Sequence, residues 1–155
     1  MKRFLTIVGA IALAFFIGIL ALISIVAVKG RALDAESKRY ADQVIINIVS
    51  DWNKQALLAQ ASPDFARACP AACTDALFEQ TDKLGAMTHY LGSKGQANIN
   101  FFISNGIRIT ATYIARATFA HGAAAMKLDI VKKDGKWRIL GFFVHLQAIP
   151  SPGTA

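Results

Sequence analysis

His145 is the side chain best suited to general-base work, because imidazole changes charge near neutral pH. It stands near the end of the strand-like run "KWRILGFFVHLQA", where alternation places it on one face with Trp137, Ile139, Gly141 and Phe143. Tyr113, in "GIRITATYIARATF", would supply a hydrogen-bond donor, and Trp52 and Phe143 would supply apolar walls to a pocket. Asp42 and Asp51 lie on a helical stretch where either carboxylate could face such a pocket, although their spacing equally suits a wet helix face. A lone histidine near a strand end is more often structural than catalytic. No Ser-His-Asp order, nucleophile elbow or phosphate-cradling glycine loop accompanies it. His89 falls near a strand start and His121 beside Gly122 in a turn, both at expected surface positions. No catalytic residue and no cofactor is therefore assigned from these patterns.

Cys69 and Cys73 are the only cysteines, spaced C-x-x-x-C in "RACPAACTD" at a joint between helices. A structural zinc site needs about four ligands, and no paired His or Cys joins these two, so no metal is expected. A thioredoxin-type motif has two intervening residues rather than three. Three readings stay open: a local disulfide, free thiols, and a redox or metal role. The disulfide is favoured if the domain lies outside the cytoplasm. So short a loop gives it little stabilising effect.

The other chemical feature is "KKDGKWRIL". Asp134-Gly135 between two apolar runs predicts a type I′ hairpin turn, with Lys132, Lys133 and Lys136 around it. Charge at a hairpin end ordinarily solvates it and guards against edge pairing. Binding of a phospholipid or another polyanion would require convergence with Arg108, Arg116 and Arg138 on one face. Nucleic acid is disfavoured, because Trp137, Phe143 and Tyr113 fall on apolar faces rather than interleaving with the cations.

These residues need elements to hold them. "MKRFLTIVGAIALAFFIGILALISIVAVKG" carries no charge from residue 4 to 28, a stretch of about 37 Å if helical. A hydrocarbon core is roughly 30 Å thick, so residues 4–28 are expected to form a membrane anchor after a short cytoplasmic N-terminus, 1–3. Cleavage as a signal peptide is the alternative. The run, however, is longer than the usual h-region, and Gly30-Arg31-Ala32 is a weak small-x-small site. Basic residues flank both ends, so charge alone does not orient the span. Long domains translocate largely regardless of charge. The expected arrangement is a single-pass inner-membrane protein with its C-terminal domain facing the periplasm or cell exterior.

A linker is expected over 29–34, a domain over 35–148 and a flexible tail over 149–155. Apolar residues from Tyr40 through Val44, Ile45, Ile48, Trp52, Ala56 and Ala59 recur at helical spacing, which predicts a helix over 35–61. Ser62 caps a second helix with Pro63 in its first turn, and a third runs over 75–84 with Thr74 as N-cap and Gly85 as its stop. Past Gly85 the period changes to alternation, broken at "GSKG", "SNG", "AHG" and "KDGK". Helices followed by an antiparallel meander make an α+β fold with helices on one face of a sheet. Charge is uneven along this domain: residues 29–105 balance, whereas residues 106–155 hold seven basic and two acidic side chains.

The order of these elements, with "YIARATFAHGAAAMKLDIVKKDGKWRILGFFV", resembles the nuclear transport factor 2-like (cystatin-like) superfamily over residues 35–148. More narrowly, it resembles the small bacterial membrane-anchored families of that superfamily, of undefined function. The resemblance implies a cone-shaped domain of about three helices on a curved sheet. It reports fold better than activity, since the superfamily includes enzymes, secretion-system scaffolds and binding modules. The expectation is a membrane-anchored extracytoplasmic scaffold or binding module without catalytic activity. Its partners would be the bilayer through the N-terminal helix, a protein partner or second copy of the chain, and a small apolar ligand. The alternative is a pocket enzyme of isomerase or dehydratase type, built on Trp52, Tyr113, Phe143 and His145, or a component of a secretion or envelope complex.

Overall fold

A computed structural model describes the backbone of residues 2–102 and 106–147, and the side chains of residues 13–22, 30–100 and 107–147. The expected tail, 149–155, lies outside the described residues. The chain divides into two units, residues 1–35 and 36–155.

The first unit is helical. Helix α1 runs Lys2–Val49, so residues 29–34, expected as a linker, are helical. The reason is local: "RALDAESK" is rich in helix formers and holds no proline. All ten residues from 13 to 22 are exposed. Among the described residues no helix is long and apolar enough to cross a membrane. The anchor expected over 4–28 falls largely on residues 4–12 and 23–28, whose side chains lie outside the described set.

The second unit is α+β. After the end of α1 come α2 (Lys54–Gln60), α3 (Pro63–Ala68), α4 (Ala71–Thr81) and a 3-10 turn, Asp82–Leu84. Four strands follow, β1 (Met87–Phe102), β2 (Gly106–Phe119), β3 (Gly122–Lys133) and β4 (Lys136–Gln147), paired antiparallel in sequence order. A single helix over 35–61 was the expectation; the chain instead breaks at Trp52, which holds φ at +52°. The Asn53 amide donates to the Ile48 carbonyl at 2.7 Å, the closing bond of a Schellman stop in which glycine normally takes the left-handed position. Burial of the indole outweighs that backbone cost. Trp52 is 7% exposed, stacks on Phe119 with centroids 5.0 Å apart and donates Nε1–H to the Gly85 carbonyl at 3.0 Å. Asn53 then caps α2, its Oδ1 accepting from the Ala56 amide.

Ser62 caps α3 as expected, accepting from the Phe65 amide at 3.1 Å, with Pro63 at its first position. Helix α4 starts at Ala71 instead of residue 75, and Thr74 donates to the Ala71 carbonyl instead of capping. "GSKG" does not break the sheet. Strand β1 passes through it with a register shift between Tyr90 and Ser93, Gly92 taking φ +88°. Along β2 the odd-numbered residues from Ala111 to Phe119 are buried, while Arg108, Thr110, Thr112, Ile114, Arg116 and Thr118 are partly or fully exposed. That alternation is the one-sided wetting expected of such a sheet. Val44, Ile45, Ile48 and Val49 of α1 join the buried set.

Candidate functional site

The four residues expected to line one pocket fall into two places. Tyr113 is 1% exposed in the core, where its hydroxyl hydrogen-bonds Ser37 Oγ at 2.7 Å, and Trp52 is buried at the end of α1. Phe143, 51% exposed, and His145, also exposed, lie on the wet side of β4. The cause is a bulge. Asp129 pairs with Gly141 but Ile130 pairs with Ile139, leaving Leu140 unopposed. One extra residue inverts the alternation that follows. Trp137 and Ile139 therefore point inward, and beyond the bulge Phe142 takes the buried role that strict alternation gave to Phe143. Lys127 Nζ lies 5.5 Å over the Phe143 ring. His145 pairs with Ala125 in the ladder and does not meet Tyr113. His89, His121 and Asp51 are exposed. Cys69 and Cys73 are joined in a disulfide with Cα atoms 5.1 Å apart, linking the end of α3 to α4.

Asp42, the other carboxylate considered for acid–base work, has a dense set of partners. It accepts from Lys38 Nζ at 2.6 Å, from the Tyr90 hydroxyl at 2.6 Å and from Ser93 Oγ, while Lys38 also donates to Ser93 Oγ at 3.3 Å. Burial alone would raise its pKa. The hydrogen bonds from Lys38, Ser93 and Tyr90, with the Lys38 charge, outweigh burial and hold it below the ordinary carboxylate range. Tyr90 moves the other way, above the ordinary phenol range, through burial and then its bond to the Asp42 carboxylate. An ionised aspartate locked to an ammonium makes a poor base, and a lysine held by that aspartate does not activate Ser93. The cluster fastens α1 to β1.

Charge does converge elsewhere. At the end of the sheet where β2 begins, β3 ends and β4 begins, an open cleft of about 570 Å³ meets the start of α3. Arg67, Arg108, Lys132, Lys133 and Arg138 line it, against the single carboxylate of Asp64. Strand register explains the gathering: Ile109 pairs with Lys132 and Val131 with Arg138, so Arg108 and Lys133 end adjacent strands. Asp64 accepts from Arg67 and, at 2.9 Å, from Arg108 Nη2. The Arg67 hydrogen bond is the main cause that holds this exposed carboxyl below its ordinary pKa, with Arg108 adding to it. Lys132 is bound by both oxygens of Glu36 at 2.7 and 2.8 Å and lies 5.5 Å over the Trp137 ring, whose Nε1–H also donates to Glu36. Arg138 donates to the Ala59 carbonyl at 3.1 Å. The Lys133 side chain is exposed and, unlike that of Lys132, forms no salt bridge among the described residues. Pro63, Ile107 and Val131 give the cleft an apolar wall.

Of the three arginines named from sequence, Arg108 and Arg138 enter this cleft. Arg116 does not; it lines a second open pocket with Leu91, Ser93 and Ile114. Lys136, though beside the turn, is not part of the lining. Arg67 had no place in the sequence reading, and its only signal was the Asp64-x-x-Arg67 spacing on one helix turn. Among the described residues no group of three His, Cys, Asp or Glu side chains could hold a metal ion. No protein-family model, curated protein or solved structure matches the chain.

Proposed function

We propose that this chain is a membrane-tethered binding module whose α+β domain, of nuclear transport factor 2-like type, works outside the cytoplasm without catalysing a reaction. The observation that carries the tether is the exposure of residues 13–22. Leu13, Phe15, Phe16, Ile17 and Leu22 are 57–72% exposed, and ten consecutive helical residues cover every side of the helix. A helix apolar on all sides calls for an apolar surrounding, and the charge-free run over 4–28 extends it to spanning length.

The Cys69–Cys73 disulfide supports the outside location, because such bonds persist in oxidising compartments. Helices preceding a four-stranded meander support the family-like fold. Binding is preferred to pocket catalysis because Trp52 and Tyr113 are packed inward while Phe143 and His145 face away, so no shared cavity joins a base to a donor. An alkaline phosphatase fused to the C-terminus tests the location in cells. Activity of the fusion is the expected result; an inactive but stably expressed fusion overturns the extracytoplasmic assignment.

A further inference from the structure

We infer that the cleft between the start of α3 and the Arg108–Lys133–Arg138 end of the sheet binds a phosphate ester. The site rests on the binding-module reading but not on the extracytoplasmic location, so an inactive phosphatase fusion would remove the location and leave the cleft untouched.

Charge is the first ground. One carboxylate, Asp64, serves both Arg67 and Arg108, and Glu36 serves Lys132. Lys133 and Arg138 are then left without a carboxylate partner among the described residues, and one guanidinium charge is only shared. Three uncompensated positive charges in one concave site favour a multiply charged anion. Side-chain type is the second ground. Three of the five cations are arginines, whose planar forks match tetrahedral oxyanions with paired donors. Asp64 holds two of these forks in place before any ligand arrives, which lowers the ordering cost of binding. Volume is the third. At about 570 Å³ the cleft exceeds what a bare phosphate fills and falls in the range of small-molecule sites. Ile107, 64% exposed beside Arg108, offers apolar surface to the organic part of the ester.

The ester has two sources, a soluble organic phosphate and a phospholipid headgroup, and one experiment separates them. The full chain is reconstituted in phosphatidylcholine nanodiscs and titrated with glycerol 3-phosphate at constant ionic strength. Tryptophan emission is followed, since the Trp137 ring lies 5.5 Å from the Nζ of Lys132, which lines the cleft. In parallel the chain is melted in phosphatidylglycerol and phosphatidylcholine nanodiscs with no soluble phosphate. A saturable emission change that weakens about tenfold in Lys133→Glu, and further in Arg108→Gln, supports a soluble ester. A higher melting temperature only in phosphatidylglycerol, lost in the same variants, supports the headgroup. Either response should weaken as salt rises, as exposed charge pairs are screened. No response in either arm, or equal responses in wild type and Lys133→Glu, overturns the inference. The Lys133 side chain is exposed and forms no salt bridge among the described residues, so Lys133→Glu keeps the fold and decides the question even if Arg108→Gln does not fold.

Discussion

Tyr40 donates its hydroxyl to Gln60 Oε1 at 3.1 Å, joining α1 to α2 from a half-buried position. Burial pushes its pKa from 10.0 up to about 12, with the nearby Arg138 charge working against the shift. In the unfolded chain the phenol ionises near pH 10, whereas in the folded chain it stays neutral to about 12. Its contribution to stability is therefore complete below pH 10 and is lost as pH rises through the folded value. Tyr90 carries the same sign, so the melting temperature should fall between pH 10 and about 12. In Tyr40→Phe that fall should be shallower; an unchanged slope in calorimetric melts across this range would count against the assignment. None of this was visible in the sequence, where Tyr40 was only one member of an apolar stripe. Trp52 was misread for a related reason. It fits the helical spacing of that stripe, and nothing local marks it as a stop, since the left-handed position is ordinarily held by glycine. Its stacking partner Phe119 and its acceptor Gly85 stand 67 and 33 residues away.

The elements were easier to read than their phase. Period, caps and turn residues located the helical region and the meander, and Asp134-Gly135 takes positive φ at both positions as a type I′ turn demands. What the sequence did not carry was register. The irregularity opposite Leu140 moved His145 and Phe143 to the wet face, and Gly92 turned an expected break into a bulge in β1. The same dependence on register assembled the cleft from three strand ends and a short helix. Polar ties from Glu36, Ser37 and Asp42, all within the second unit, fix how that stretch of α1 lies on the sheet: Asp42 to β1, Ser37 to β2, and Glu36 to β3 and β4. At Gly95 in β1 the pairing is close enough to exclude any side chain. A Cβ there would lie 1.9 Å from the Thr112 carbonyl oxygen and 2.8 Å from the Tyr113 Cα. Backbone cannot swing aside as a flexible side-chain tip would, so Gly95→Ala must shift β1 against β2. Overpacking of this kind costs about 1–3 kcal/mol or more. Chemical denaturation should show that loss, while Gly135→Asn, at an open left-handed turn position, should cost well under it. Equal stability of Gly95→Ala and wild type would mean that the β1–β2 register is wrong.

For the whole molecule, the division into two units separates two kinds of apolar surface. Every buried residue among those described lies between Ser37 and Phe142, inside the second unit. The described side chains of the first unit's residues 13–22 are exposed and uncharged. Water penalises such a surface at about 25 cal/mol per Å², whereas hydrocarbon does not. Charge placed there should therefore act on membrane residence and leave the folded domain alone. Arginine at the centre of a span costs about 3 kcal/mol per residue on insertion scales, so Phe16→Arg with Ile19→Arg should oppose insertion by about twice that. Wild type is expected to stay with the membrane pellet through an alkaline carbonate wash, and the double variant to be released with an unchanged melting temperature for its α+β domain. Release of wild type by carbonate would overturn the tether. Retention of both would move the anchoring surface away from residues 13–22, and a lowered melting temperature in the variant would show that these side chains support the domain rather than meet lipid.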